Sequence, residues 1–245
     1  MIYKFDNLPP EEFGGAREAV HTASRVRSRV RRVITLIALL TVSLTLVFLA
    51  YDRDEAFAVE GTDETSFVEA VTTDVNAYWA NVFGSLGYSY TPANLAFLYD
   101  NPIDSLCGPI YPSEGPLYCR YDGTLYYPVN WTVPGGRALD QYGYSAVAMA
   151  VAHEIGHHVQ DEMDEFGLRS LDSWTPTQQE LQADCFAGLW ASQANEQLGA
   201  GGIEAILSAL VDLGSASHGG GVERITAFGL GYHTGDLGQC LALTG

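Results

Sequence analysis

A hydrophobic run at 147–163, VAMAVAHEIGHHVQDEM, contains three of the six histidines of the chain. His153 and His157 are four residues apart, so a helix places both rings on one face, with Glu154 next to the first ring. Burying polar groups without partners is unfavourable, so these side chains need a ligand or a hydrogen-bonding network. The pattern therefore favours a fold in which this helix faces a second element that supplies their partners.

The spacing His153-Glu154-x-x-His157 is typical of a zinc-binding helix. Two imidazoles of such a helix hold one Zn²⁺, and the glutamate reaches the water bound to the metal. A helix whose polar face contains these residues without a metal is the alternative. Zinc also requires a third protein ligand, which in the extended metzincin pattern follows on the same segment. The positions for its glycine and histidine are Gln160 and Met163 here, so the third ligand must lie elsewhere.

The segment QQELQADCFAGLWA, at 178–191, is the place where we expect it. Glu180 and Asp184 are four residues apart on a predicted helix whose hydrophobic neighbours indicate burial. Two buried carboxylates repel each other and need a cation or hydrogen-bond donors. We predict that Glu180 is the third zinc ligand and that Asp184 accepts the N–H of a ligating histidine. Two carboxylates on an exposed helix face are the alternative.

Taken together, AHEIGHHVQ and ELQADCFAGLWA resemble the bacterial neutral zinc metallopeptidase family of membrane-anchored proteins, which is of the gluzincin type. SLCGPIYPSEGPLYC and SHGGGVERITAFGLGYHTGDLGQC extend the resemblance, which covers roughly residues 66–242. It implies a zincin-like fold with one Zn²⁺ held by His153, His157 and Glu180, and with Glu154 in catalysis. Gly219-Gly220-Gly221 departs from the family pattern, in which more serines are expected after His218, and leaves the role of that loop open.

The predicted activity is hydrolysis of a peptide or protein substrate by zinc-activated water, with Glu154 as general base. The tetrahedral oxyanion needs a second donor besides the metal. His218, Tyr232 and His233 are candidates, and His218 is preferred because it lies in a matching motif. His158 is predicted to be structural, because its partner one turn earlier is Glu154, which is needed as the base.

Two other functions are compatible with these residues. One is a zinc amidohydrolase that acts on an amide other than a peptide bond. The other is a non-catalytic cell-surface domain that keeps zinc for stability and binds a partner. Glu154 argues against the second, since a structural zinc site needs no general base.

The uncharged segment VITLIALLTVSLTLVFLAY, at 33–51, is long enough to cross a bilayer as a helix. It follows RVRSRVRR, and arginine-rich flanks stay in the cytoplasm. We predict a basic cytoplasmic tail (1–32), one transmembrane helix (33–51), an acidic linker (52–65) and an extracellular or periplasmic metallopeptidase domain (66–245) in the cell membrane. A cleaved signal peptide is the alternative, with AFA at 56–58 as a weak cleavage site.

The charge of the chain is divided at this segment. Residues 1–32 have seven basic and four acidic side chains, and residues 33–245 have five basic and 26 acidic ones, a formal charge of −21. Proteins that bind nucleic acid need lysine and arginine to displace phosphate counterions. We therefore predict that nucleic acid is not a partner.

All four cysteines lie on the predicted outer side, where an even number favours disulfides. Of the three possible pairings we favour Cys107–Cys119, because a bridge would close the Gly/Pro-rich loop between them; this leaves Cys185–Cys240. A cysteine zinc site is the alternative, but the chain has no C-x-x-C.

The remaining periodicities predict a mostly helical α+β domain with a small sheet. TLYYPVNW, at 124–131, is a β-prone run that Pro128 restricts to an edge strand, where an extended peptide substrate could pair. Helices are predicted over 66–86, 140–163, 175–198, 203–213 and 222–230.

Overall fold

A computed structural model of the chain describes residues 63–168, 174–215 and 218–243. These ranges contain seven α-helices and seven short strands. The helices are α1 (Glu64–Ser85), α2 (Ala138–Glu165), α3 (Pro176–Gln193), α4 (Asn195–Leu198), α5 (Gly202–Asp212), α6 (Gly221–Thr234) and α7 (Leu237–Leu241). The strands are β1 (Asn94–Leu98), β2 (Ile103–Ser105), β3 (Gly108–Ile110), β4 (Leu117–Cys119), β5 (Thr124–Pro128), β6 (Thr132–Val133) and β7 (Gly136–Arg137). The architecture is the predicted mostly helical α+β fold with small sheets.

The predicted tail and membrane segment, and all but the last three residues of the predicted linker, lie outside the described residues. Among the helices of the described ranges, none has the length and hydrophobicity that crossing a bilayer requires. The first described residue, Asp63, caps α1 by accepting the N–H of Ser66 at 3.1 Å. Glu64 belongs to the predicted linker, yet it is buried and accepts hydrogen bonds from Tyr127 and Arg137 at 2.8 and 2.7 Å. These contacts fasten the first turn of α1 to β5 and β7.

The main sheet has the strand order β1-β5-β4, with β1 parallel and β4 antiparallel to β5. The prediction that 124–131 forms an edge strand is therefore wrong, because β5 is central. Pro128 is tolerated there because it is the last residue of β5, where the ladder with Leu98 ends. The strand β4 is an edge of this sheet, and it contacts α2.

The helices α2, α3 and α6 pack closely because glycines stand where they cross. A Cβ atom on Gly156 of α2 would lie 3.0 Å from the carbonyl oxygen of Ala183 in α3. A Cβ atom on Gly231 of α6 would lie 2.0 Å from the carbonyl oxygen of Cys185 in α3, and one on Gly188 would lie 2.1 Å from that of Phe228. The helix backbones thus touch at these points, and any side chain there would force them apart.

Two disulfides join Cys107 to Cys119 and Cys185 to Cys240, which are the two pairings favoured from the sequence. The first closes the loop before β4, and the second fixes α7 against α3. The main hydrophobic core lies between α1, α2, α3 and the sheet, and its largest fully buried side chains include Trp79, Phe186 and Trp190. The predicted helices correspond to α1 to α6; α6 is longer than predicted, and α7 was not predicted.

Candidate metal and active site

Three predicted ligands meet between α2 and α3. The Nε2 atom of His153 lies 3.1 Å from Oε2 of Glu180, and that of His157 lies 3.6 Å from the same oxygen. One potential ligand atom from each of the three side chains lies within 4.8 Å of the other two. His153 is buried, and His157 and Glu180 are partly buried. This group can hold a metal ion.

Asp184, the predicted hydrogen-bond partner of a ligating histidine, fixes the orientation of the His153 ring through its Nδ1 atom. The Nδ1 atom of His153 lies 2.8 Å from Oδ1 of Asp184, whose side chain is completely buried. The guanidinium of Arg224 in α6 donates two hydrogen bonds to the same carboxylate, at 2.9 and 2.8 Å. Because Asp184 takes the Nδ1 hydrogen, Nε2 is the atom that His153 presents to a metal.

A second chain of hydrogen bonds supports His157. Its Nδ1 atom lies 3.0 Å from Oε1 of Gln160, and the amide nitrogen of Gln160 donates to the carbonyl oxygen of Gln179 at 2.7 Å and to Gln182 at 3.2 Å. Gln182 donates in turn to the carbonyl oxygen of Cys240 at 3.1 Å. An amide oxygen can only accept, so Nδ1 of His157 carries the hydrogen and Nε2 faces Glu180.

The charges of these groups favour a cation at the point where they meet. Burial lowers the pKa of His153, but Asp184 and Glu180 outweigh burial and raise it to about 10. Burial raises the pKa of Glu180, but its contacts with His153 and His157 outweigh this and hold it far below its usual range. Burial also raises the pKa of Asp184, and His153 and Arg224 outweigh it and lower that pKa. Both carboxylates are therefore ionised, and a metal ion can replace the proton between His153 and Glu180.

Glu154, the predicted general base, lies next to His153 and touches the sheet. Its Oε2 atom accepts the backbone N–H of Tyr118 in β4 at 2.8 Å. The hydroxyl of Tyr118 lies 3.0 Å from Nδ1 of His158, whose Nε2 donates to the carbonyl oxygen of Thr91 at 2.6 Å. Both nitrogens of His158 thus bond protein groups, which agrees with its predicted structural role.

His218 follows α5 and reaches the same centre. Its Nε2 atom lies 3.8 Å from Oε2 of Glu180, its Nδ1 atom lies 3.0 Å from Oγ of Ser215, and half of its side chain is exposed. Tyr232 and His233, the other two candidates, are not among the residues that line the space around Glu154. They lie in the last turn of α6, where the hydroxyl of Tyr232 donates to Asn195 at 2.8 Å.

Two of the three glycines after His218, Gly219 and Gly221, have a steric reason. Gly219 has φ +91°, a backbone conformation that other residues rarely adopt. Gly221, the first residue of α6, lies so close to α5 that a Cβ atom would be 2.7 Å from Cα of Val211. A serine at 221 would collide with that backbone, so the departure from the expected pattern lets α6 begin against α5.

Two cavities flank Glu154. One, of about 210 Å³, extends between α2 and α5 and is mainly apolar. The other, of about 480 Å³, is a more polar groove between β4 and the ends of α2 and α3 that reaches His157 and Glu180. Both are lined by Glu154, His218, Glu114 and Pro116, so they meet at the candidate site. We call the first the alanine-lined cavity, after Ala138, Ala146, Ala150 and Ala209, and the second the polar groove.

Three contributors to the site were missed in the sequence: Arg224, Gln160 and the backbone N–H of Tyr118. Gln160 lies three residues after His157, a spacing that puts the two side chains within reach on a helix and could have identified it. Arg224 lies inside a motif that resembles the family, and a buried carboxylate such as Asp184 needs a cationic partner. The Tyr118 contact depends on which strand forms the sheet edge, and no pattern in the sequence indicates that.

Fold and site together define a helical α+β domain with a partly buried group of two histidines and one glutamate that can bind a metal ion, next to a carboxylate in a cleft. The chain belongs to the family described as "Putative neutral zinc metallopeptidase", whose sequence profile matches residues 50–243.

Relatives of the chain occur in distant bacteria. It is 29% identical over 207 residues to "Uncharacterized protein YpfJ" of Escherichia coli (strain K12), an alignment that covers 74% of this chain and 71% of that protein. It is 28% identical over 219 residues to "Uncharacterized protein Rv2575" of Mycobacterium tuberculosis (strain H37Rv), covering 74% and 72%. No solved structure matches the chain significantly.

Proposed function

We propose that the protein is a zinc-dependent peptidase that hydrolyses peptide bonds with Glu154 as general base. The observation that carries this proposal is the orientation of the two histidines. Asp184 and Gln160 occupy the Nδ1 atoms of His153 and His157, so both Nε2 atoms are directed to Glu180, 3.1 and 3.6 Å away. Side chains held this way are preorganised for a metal.

The donor set fits zinc. Two imidazoles and one carboxylate are typical of catalytic zinc sites, which keep a fourth position for water or substrate. His153, His157 and Glu180 would hold the ion. Bound zinc would supply a Lewis acid for the substrate carbonyl and would lower the pKa of a bound water.

Glu154 is positioned for proton transfer. The N–H of Tyr118 bonds one carboxylate oxygen and restricts its orientation beside His153. As general base, Glu154 takes a proton from the attacking water and then delivers it to the leaving amine. His218 is our candidate for stabilising the oxyanion, because its ring lines both cavities and lies near Glu180.

The substrate would pair with β4, and not with β5 as the sequence indicated. Since β4 is an edge strand next to Glu154, an extended peptide added to it lies along the polar groove with its backbone beside the site. Tyr118 pairs with Leu125 of β5, while its N–H points to Glu154 and not into that ladder.

We further propose that residues 33–51 anchor the enzyme in the cell membrane, with residues 1–32 in the cytoplasm and the domain outside. The disulfides support this location, since they persist in oxidising compartments.

The test compares the purified full chain in detergent with its Glu154→Gln variant and with Glu165→Gln, a control at an exposed glutamate of the same helix. Metal content and cleavage of a broad peptide library are measured. We expect one zinc in all three proteins and cleavage by all except Glu154→Gln. Cleavage by Glu154→Gln at the parent rate would refute the role of the base. Zinc in all proteins without cleavage of peptides would favour a non-catalytic zinc domain or a hydrolase of other amides.

A further inference from the structure

The alanine-lined cavity shares its mouth with the candidate site. His153 and Glu154 line it, and so do the polar-groove residues Glu114 and His218. If a peptide substrate is bound with its scissile bond at Glu154, the side chain that fills this cavity therefore belongs to a residue directly next to that bond.

Three polar groups around this cavity already have protein partners. Arg224 is paired with Asp184, Glu154 accepts the N–H of Tyr118, and the hydroxyl of Tyr142 donates to Asp212 at 3.2 Å. Most of the remaining wall is apolar, including Met149, Leu210 and Leu213. A charged side chain would lose its hydration against this mostly apolar wall, so it is disfavoured.

The size of the cavity fits one large apolar side chain. Its volume of about 210 Å³ exceeds the roughly 150 Å³ that suffices for a benzene ring in an apolar protein cavity. Alanines at 146, 150 and 209 create this room, since larger residues there would fill it. Water in such a space makes few hydrogen bonds, and an apolar group that displaces it gains affinity.

Resting on the proposed peptidase function, we propose that the alanine-lined cavity binds one bulky apolar side chain, such as Phe or Leu, of the residue next to the cleaved bond. The residue on the other side of that bond lies towards the polar groove, where Arg120, Asp161 and Gln179 accept polar side chains. Cleavage specificity is then set mainly by one side of the bond.

The first arm of the test measures kcat/KM on peptides that differ only in the residue beside the bond. We expect Phe and Leu peptides to exceed the Ala peptide by about 100-fold or more, since each methylene in such a pocket is worth about tenfold or more. Ala150→Leu, a half-buried position, narrows the cavity and should reduce this ratio at least about tenfold. Leu213→Ala enlarges it and should raise the relative rate of a Trp peptide. Ser208→Leu, exposed on α5, adds bulk outside the cavity and should leave the profile unchanged.

The second arm does not depend on catalysis. The chain has three methionines, of which Met149 lines the cavity and Met163 is buried in the core. With ¹³C-methyl methionine, N-acetyl-phenylalaninamide should shift the Met149 methyl resonance and leave Met163 unchanged. N-acetyl-alaninamide should shift neither, and Ala150→Leu should abolish the effect.

The outcomes separate the two proposals. A Met149 shift without cleavage of any peptide supports the binding of an apolar side chain in the cavity and overturns the peptidase. Cleavage without apolar preference, and with no shift at Met149, overturns the cavity assignment and leaves the peptidase intact. A preference that neither Ala150→Leu nor Leu213→Ala changes also overturns it, because the selecting pocket would then lie elsewhere.

Discussion

The close contact between α3 and α6 predicts how much stability the protein loses when a side chain is introduced between them. In Gly231→Ala the new Cβ atom would lie 2.0 Å from the carbonyl oxygen of Cys185, 2.9 Å from the nitrogen of Leu189 and 3.0 Å from the carbonyl carbon of Cys185. Ordinary contact begins near 3.4 Å, so the two backbones must separate by roughly 1.4 Å. Backbone atoms cannot rotate away as a side chain can.

Overpacking of this kind costs about 1–3 kcal/mol or more, and we expect the upper end, about 3 kcal/mol. For a chain of this size that loss lowers Tm by roughly 6–12 °C. Since Arg224 lies on the same helix, the displacement of α6 also weakens its bonds to Asp184, and metal affinity should fall with stability.

The assay is urea unfolding of the oxidised protein followed by tryptophan fluorescence, with Gly229→Ala as the matched control. Gly229 lies on the same helix, and a Cβ atom there would meet only His233, at 3.9 Å. That substitution should stabilise the protein by up to about 1 kcal/mol, because alanine loses less backbone entropy in a helix. Equal stabilities for Gly231→Ala and the parent, or an equal loss in both variants, would refute the claim that α3 and α6 touch there.

Three further predictions concern the metal site and its supports. Asp184→Asn should lower zinc affinity about 10–100-fold in chelator competition, since it removes the charge behind His153; affinity equal to the parent's would contradict this support. Because Asp184 and Glu180 raise the pKa of His153 to about 10, zinc must displace its proton, so affinity should rise about tenfold per pH unit between about pH 6 and 8. Calorimetry in buffers of different ionisation enthalpy measures the proton release, and a pH-independent affinity would contradict it. Replacing both Cys185 and Cys240 by serine removes a disulfide that joins residues 55 positions apart, and it should lower the free energy of unfolding in urea by about 4 kcal/mol. An unchanged midpoint would show that α7 is held by packing alone.

The helices and the three-ligand group were predictable because their signals are local. Hydrophobic periodicity identified α1, α2 and α3, and the spacings within α2 and α3 place His153 with His157 and Glu180 with Asp184 on single faces. Thr175 and Pro176 marked the start of α3, and they form its cap and first turn. Polar residues on a helix that is otherwise hydrophobic indicate a functional site even when the topology of the fold is unknown.

Apart from Gln160, which lies three residues from His157, the features that the sequence did not predict depend on contacts between distant parts of the chain. Strand order cannot be read from Pro128 alone, because proline is excluded from the interior of a central strand but not from its last position. The pairing of Arg224 with Asp184 spans 40 residues, and the Tyr118 contact with Glu154 spans 36. Such contacts depend on how α3, α6 and β4 pack, and no single segment encodes that packing.

Residues that hold the candidate metal ligands in place lie late in the chain, and this determines when the site can form during synthesis. Glu180, the last ligand, precedes Arg224 by 44 residues and Cys240 by 60 in the chain. During synthesis all three ligands emerge while Arg224, which bonds Asp184, and Cys240, which accepts from Gln182, are still absent. On the proposed function, full metal affinity therefore arises only when almost the entire domain has been made and folded, and a truncated chain contains His153, His157 and Glu180 without the contacts that hold them in place.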